Sequence, residues 1–213
     1  MQESLAFPVP LTDKYRPTRI AEFAGLDKPK KLLSRFAANP YPSAWLFVGA
    51  SGCGKTSMAL ALAAEIGAEV QHVPAKEMDL ARVQEIARIC NFIPMSGPSG
   101  FHMVIVDEVD AMSEGAALAW LSRLDAAAPL PNTIVCFTCN ATDRLEKRFL
   151  SRCRVLEFSS YGMSTAIAEL LQRIWDAETD NPVDRPNFAR VAKDSGNNVR
   201  DALMSLELEI MAA

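Results

Sequence analysis

The sequence predicts an α/β protein, an αβα sandwich on a parallel sheet that is followed by a small all-helical lid. Three observations carry this expectation. Gly49-Ala50-Ser51-Gly52-Cys53-Gly54-Lys55-Thr56 fits the phosphate-loop pattern G-x-x-x-x-G-K-[ST], with an apolar run over 44–48 before it and an Ala/Leu-rich helical run over 57–66 after it. A second apolar run, 101–106, ends directly in Asp107-Glu108. After about residue 160 the alternation of strands and helices gives way to helices alone. The expected division is a core over 1–160, N-terminal arm included, and a lid over 161–213.

Taken in order, residues 1–10 carry Pro8 and Pro10 without periodicity and read as an extended arm. Asp27 is expected to cap a helix over 28–38, with Leu32, Leu33 and Phe36 inward. Lys28, Lys30, Lys31 and Arg35 then face outward, as a solvated face or a polyanion contact. Glu69–Val73 reads as a short strand, and Asp79 as the cap of a helix reaching about Cys90. Residues 94–100 form a turn-rich loop. Ser113 is expected to cap a helix through about Ala126, and the next strand ends at Asn140. Arg144, Lys147, Arg148, Arg152 and Arg154 are the densest basic run, ahead of a last strand at 155–158. Helices are expected over 163–177, 185–194 and 198–211, with Pro182, Pro186 and Gly196 as breaks.

Composition narrows the function classes. With 213 residues, 49% hydrophobic and 23% charged, the chain suits one mid-sized domain or a core with a lid. A net charge of −4 confines any nucleic-acid contact to a local patch. No apolar run has transmembrane length, and Met1-Gln2-Glu3-Ser4 lacks a secretory layout. No membrane partner is expected, and the expected location is cytoplasmic. Five cysteines argue against a disulfide scaffold. Cys136 and Cys139 fall on opposite faces of a strand and have no second pair, which favours core packing over metal binding. Cys53 is either a spacer or, beside a helix N-terminus, a thiol of lowered pKa. His72 and His102 sit at strand positions without metal partners.

The chemistry follows from residue type. Glycines let the backbone N–H groups of Gly49, Ala50, Ser51, Gly52, Cys53, Gly54, Lys55, Thr56 and Ser57 converge on phosphate oxygens at a helix N-terminus. Lys55 would reach the β- and γ-phosphates, and Thr56 with Asp107 would hold Mg²⁺. Glu108 would polarise the attacking water, and Asn140 could hydrogen-bond that water or the γ-phosphate. A substrate of ATP with Mg²⁺ is the expectation.

In order, these pieces resemble an AAA+ ATPase, and within that superfamily the clamp-loader subunits of replication factor C and the bacterial gamma-tau type. Lys14-Tyr15-Arg16-Pro17, with Phe23 and Gly25, is similar to the box that lines the adenine pocket. Asp107-Glu108-Val109-Asp110 resembles the acidic box, and Cys139-Asn140 the sensor 1 position. Ser151-Arg152-Cys153 resembles the element whose arginine reaches a γ-phosphate held by a neighbouring subunit. Gly196-Asn197-Asn198-Val199-Arg200-Asp201-Ala202-Leu203 resembles the sensor 2 helix, with Arg200 on the phosphates of its own chain.

The resemblance implies a Mg²⁺-dependent ATPase active as an oligomer, a ring or spiral of about five or six copies or of related AAA+ subunits. It further implies a motor or switch acting on DNA or on a replication component such as a sliding clamp. It stops short of the collar domain of clamp-loader subunits, so assembly would rest on core and lid. Ala117 stands where the family has Gln, and the first arginine of that helix is Arg123. The alternative is therefore a protein-remodelling or assembly ATPase that does not contact DNA.

Overall fold

The computed structural model describes residues 9–125, 130–179 and 185–212. Residues 1–8 of the arm expected over 1–10, the helix end at Ala126 and the break at Pro182 lie outside them.

Five parallel strands form the sheet among the described residues: β1 (Ser43–Gly49), β2 (Glu69–Pro74), β3 (His102–Asp107), β4 (Thr133–Cys139) and β5 (Arg154–Phe158), in the order β2-β3-β4-β1-β5. Central strands covered on both faces need apolar residues throughout, and every residue of β4 is buried. Alternation divides those residues between two cores. Trp45, Phe47, Met103, Ile105 and Cys136 face one layer. Leu46, Val104, Val106, Phe137 and Cys139 face the other, where Trp120 and Phe149 meet the Phe137 ring edge-on at 5.4 and 5.0 Å. The expected separation of Cys136 from Cys139 is thus observed.

The second layer is covered by α4 (Leu80–Ile89) and α5 (Glu114–Arg123), whose N-caps Asp79 and Ser113 accept from the N–H groups of Arg82 and Ala116, as expected. The first is covered by α2 (Asp27–Ala38) and α3 (Lys55–Ile66). Here the cap expectation fails. Gly25 and Leu26 take successive left-handed conformations (φ 58° and 54°), turning the chain so that the helix begins at Asp27 itself. Asp27 has no capping role. It sits in the first turn, near the positive end of the helix dipole, and pairs with Lys30 at 3.3 Å. The buried stripe is Pro29, Leu33 and Phe36 at i, i+4, i+7, and Leu32 lies beside it, exposed. Two ends also move. α5 stops at Arg123, and β4 stops at Cys139, one residue before Asn140.

Beyond β5 the chain is helical, with α7 (Ser164–Glu178), α8 (Phe188–Asp194) and α9 (Val199–Ala212). Ile167, Leu171, Trp175, Ala202 and Leu206 join the same core cluster as Phe47, so the lid and the sheet share one apolar layer.

A short helix near the start, α1 (Leu11–Lys14), is stitched to the lid. The Leu11 N–H donates to Glu207 at 3.1 Å, Lys14 pairs with Glu178 at 2.7 Å, and the Tyr15 hydroxyl donates to Glu178. These partners hold the Glu178 carboxyl below the usual range, Lys14 first and then Tyr15. Burial, followed by Glu178, pushes Tyr15 up to about 12. A depressed carboxylate stabilises the fold above its unfolded pKa and loses that contribution as pH falls through its folded pKa. The raised tyrosine contributes fully below its unfolded pKa and loses its share as pH rises towards about 12. Between pH 7 and about pH 3, a window that runs below the unfolded carboxylate pKa, wild type should therefore lose more of its urea midpoint than Glu178→Gln. Equal losses would mean the strap contributes nothing.

Gly49, the last residue of β1, pairs with Phe158 of β5, and a methyl group on it would lie 2.2 Å from the Phe158 carbonyl oxygen. Gly49→Ala should push β5 away and cost about 1–3 kcal/mol, the range for overpacking. A urea midpoint equal to wild type would refute this.

Candidate functional site

The register aligns Val48 of β1 with Cys139 of β4, and Pro74 of β2 with Asp107 of β3. The phosphate loop, the acidic strand end and Asn140 therefore share the carboxyl edge of the sheet, where open α/β sheets bind ligands.

The loop turns on Gly52 and Gly54, both left-handed (φ 77° and 89°), and Gly54 is the N-cap of α3. Lys55 is buried, and its ammonium donates to the carbonyls of Gly49 (2.7 Å) and Ala50 (2.8 Å) and to Asn140 Oδ1 (3.1 Å). Thr56 Oγ1 and Thr138 Oγ1 both donate to Asp107 Oδ1 at 2.8 Å. Glu108, exposed at the strand end, has φ 59° and ψ 51°, and its N–H donates to Thr138 Oγ1 at 3.2 Å. Lys55, Thr56, Asp107, Glu108 and Asn140 thus come together.

Beside the loop lies a cavity of about 440 Å³, whose walls include Tyr15, Arg16, Pro17, Gly52, Ser57 and Arg200. Tyr15, Arg16 and Pro17 from the N-terminal segment and Arg200 from α9 meet there, beside the loop. Arg152 does not line this cavity. It follows α6 (Lys147–Leu150), where its guanidinium donates to the Arg148 carbonyl at 2.9 Å and pairs with Asp125 at 3.2 Å.

Two residues depart from the sequence reading. Cys53 sits at a helix start, but it is buried, and desolvation outweighs the nearby Lys55 charge, so its thiol pKa is raised, not lowered. His72 had no expected role, yet its Nε2 lies 2.5 Å from Asp107 Oδ2. The period-two pattern of β2 together with the neighbouring acidic strand end is the signal that could have found it.

A phosphate loop on the strand-to-helix turn of a parallel sheet, with two carboxylates on a nearby strand and a helical lid, defines the P-loop nucleotide-binding class. Residues 45–161 match the family described as "ATPase family associated with various cellular activities (AAA)". The chain belongs to that family. It is similar to replication factor C small subunit 1 of Pyrobaculum arsenaticum, 32% identical over 176 residues, covering 78% of this chain and 51% of that protein. It is also similar to the replication factor C small subunit of Thermoplasma volcanium, 28% identical over 206 residues, covering 92% and 62%. The chain spans about half the length of most such relatives. Among solved structures, the Thermotoga maritima RuvB Holliday junction branch migration motor superposes with a TM-score of 0.71 at 19% identity, covering 91% of this chain and 64% of that one. This last likeness concerns the fold. Among the described residues, no helix is long and apolar enough to cross a membrane.

Proposed function

We propose that the chain binds ATP with Mg²⁺ and hydrolyses it as part of an oligomer, with Arg152 completing the site of a neighbouring subunit. The observation that carries this reading is the join at Lys55. One buried ammonium contacts both the phosphate loop and Asn140, while the neighbouring Thr56 contacts Asp107. A γ-phosphate would replace the loop carbonyls as the partner of Lys55, within reach of Asn140. Arg200, from the lid, would face the same phosphates across Gly52. Tyr15, Arg16 and Pro17 would wall the base.

The metal fits the donors present. Thr56 and Asp107 offer hard oxygens 2.8 Å apart at the helix start. Among the described residues no group of three or more His, Cys, Asp or Glu could cage an ion. That suits Mg²⁺, which keeps waters and phosphate oxygens in its shell. When bound, it would neutralise charge on the β- and γ-phosphates. Glu108 would accept the proton of the attacking water, and Asp107, braced by Thr138 and His72, would keep its orientation.

The core-and-lid division near residue 160 belongs to this proposal, because nucleotide between the two would couple hydrolysis to their relative motion. So does a clamp-loader-like job on DNA or a replication component, which rests on the names of the relatives. One observation favours a protein-remodelling role instead. α5 has Ala117 in place of the Gln that the resemblance leads one to expect, and Arg123 is its only basic residue.

The test is displacement of fluorescent mant-ATP by unlabelled ATP, then phosphate release with and without primed duplex DNA. No displaceable binding would end the ATPase reading. Binding with DNA-stimulated release would favour the clamp-loader-like job, and release indifferent to DNA the remodelling one.

A further inference from the structure

Asn198 joins the helical region to the phosphate loop. Its amide Nδ2 donates to the Ser51 carbonyl at 3.0 Å. Its Oδ1 accepts from the N–H groups of Arg200 (3.0 Å) and Asp201 (3.4 Å), capping α9. The amide is the uncharged side chain able to accept from two helix N–H groups while donating to a carbonyl. A hydroxyl could cap but would be too short to span to the loop. A carboxylate could cap but would set a negative charge against a carbonyl oxygen and beside the phosphates.

The surroundings fix this side chain from both directions. Gly196 and Asn197 are successive left-handed residues (φ 60° and 59°), and Asn197 Oδ1 accepts from Ser164 Oγ at 2.7 Å, anchoring the turn to the start of α7. On the loop, a methyl group at Gly52 would lie 2.1 Å from Asn198 Oδ1. The missing side chain at Gly52 is thus what gives Asn198 its seat. Because Asn198 takes a loop carbonyl, it leaves the loop N–H groups to face phosphate.

We propose that Asn198 is a positioning residue that ties the phosphate loop to the first turn of α9 and thereby presents Arg200 to the phosphates. Arg200 lies two residues along, and its own N–H is one of the capped donors, so the place of its side chain over the loop is set by this tie. The inference rests on the nucleotide reading above and adds a residue to it.

The experiment is a double-mutant cycle on the full chain, with mant-ATP as the probe: wild type, Asn198→Ser, Arg200→Ala and the pair. Serine retains the helix cap and gives up only the exposed bond to Ser51, so thermal unfolding without nucleotide should remain one cooperative transition close to the wild-type value. Asn198→Ser alone should weaken binding by a factor of about five to ten, the range one hydrogen bond controls. In the Arg200→Ala background it should cost nothing further. Asn198→Thr, a second capping residue, should behave alike and serves if the serine variant folds poorly. Equal losses in both backgrounds would mean that Asn198 acts on binding independently of Arg200, and no loss in either would mean that the tie is idle. Both overturn the proposal and leave nucleotide binding standing. A wild-type chain that does not bind mant-ATP would overturn both together.

Discussion

Glu108→Gln should leave a protein that binds ATP about as tightly as wild type and turns it over about 10²–10⁴-fold more slowly, the share a positioned general base supplies. The substitution keeps shape and removes the ability to take a proton. Glu108 occupies the left-handed region at φ 59° without being glycine, and its N–H is held by Thr138, which also holds Asp107. Such an outlier persists where the surroundings over-determine it. Here the geometry turns an exposed carboxylate off the end of a buried strand. The measurement is phosphate release under conditions where wild type is active, beside mant-ATP affinity. Turnover equal to wild type would remove Glu108 from the mechanism.

Arg152→Ala is expected to spare ATP affinity and to reduce turnover by about 10³–10⁵-fold, the range measured for arginines supplied from outside a site. The structure motivates this by where Arg152 is not. It lines no part of the cavity, and its contacts are Arg148 and Asp125 on its own surface. A half-exposed pair of this kind contributes about 0–1 kcal/mol, so releasing it for a neighbour costs little. Mixing supplies the decisive control. Glu108→Gln chains retain the arginine and Arg152→Ala chains retain the glutamate, so a mixed assembly contains some complete sites. Partial recovery on mixing would establish action between subunits, and a mixture that assembles without recovery would exclude it.

What the sequence disclosed and what it withheld separate along a physical line. The loop over 49–56, the carboxylates at 107–108 and the caps Asp79 and Ser113 are local, because their chemistry depends on neighbours a few residues away. The α2 start needed the backbone conformation of Leu26, which residue type does not announce. Leu32 was misassigned because apolar character says nothing of which of two adjacent leucines turns inward. The lowered-pKa alternative for Cys53 weighs one influence, the helix end, whereas burial is the larger. His72 and Glu178 were missed for a shared reason, since both matter through partners distant in the chain, Asp107 and the Lys14–Tyr15 pair. Arg152 was found as a motif, but its tie to Asp125 was not legible.

Burial of the thiols has a practical consequence. Cys53, Cys90, Cys136 and Cys139 are buried, Cys153 is partly so, and desolvation raises the pKa of all five, to about 11 for Cys139 and about 12 for Cys153. At neutral pH the chain holds almost no accessible thiolate, and the thiolate is the form that attacks electrophiles. The native protein is thus a quiet background for maleimide chemistry. In the variant Met204→Cys, exposed on α9, the new thiol should take up dye nearly alone, without removal of a single native cysteine.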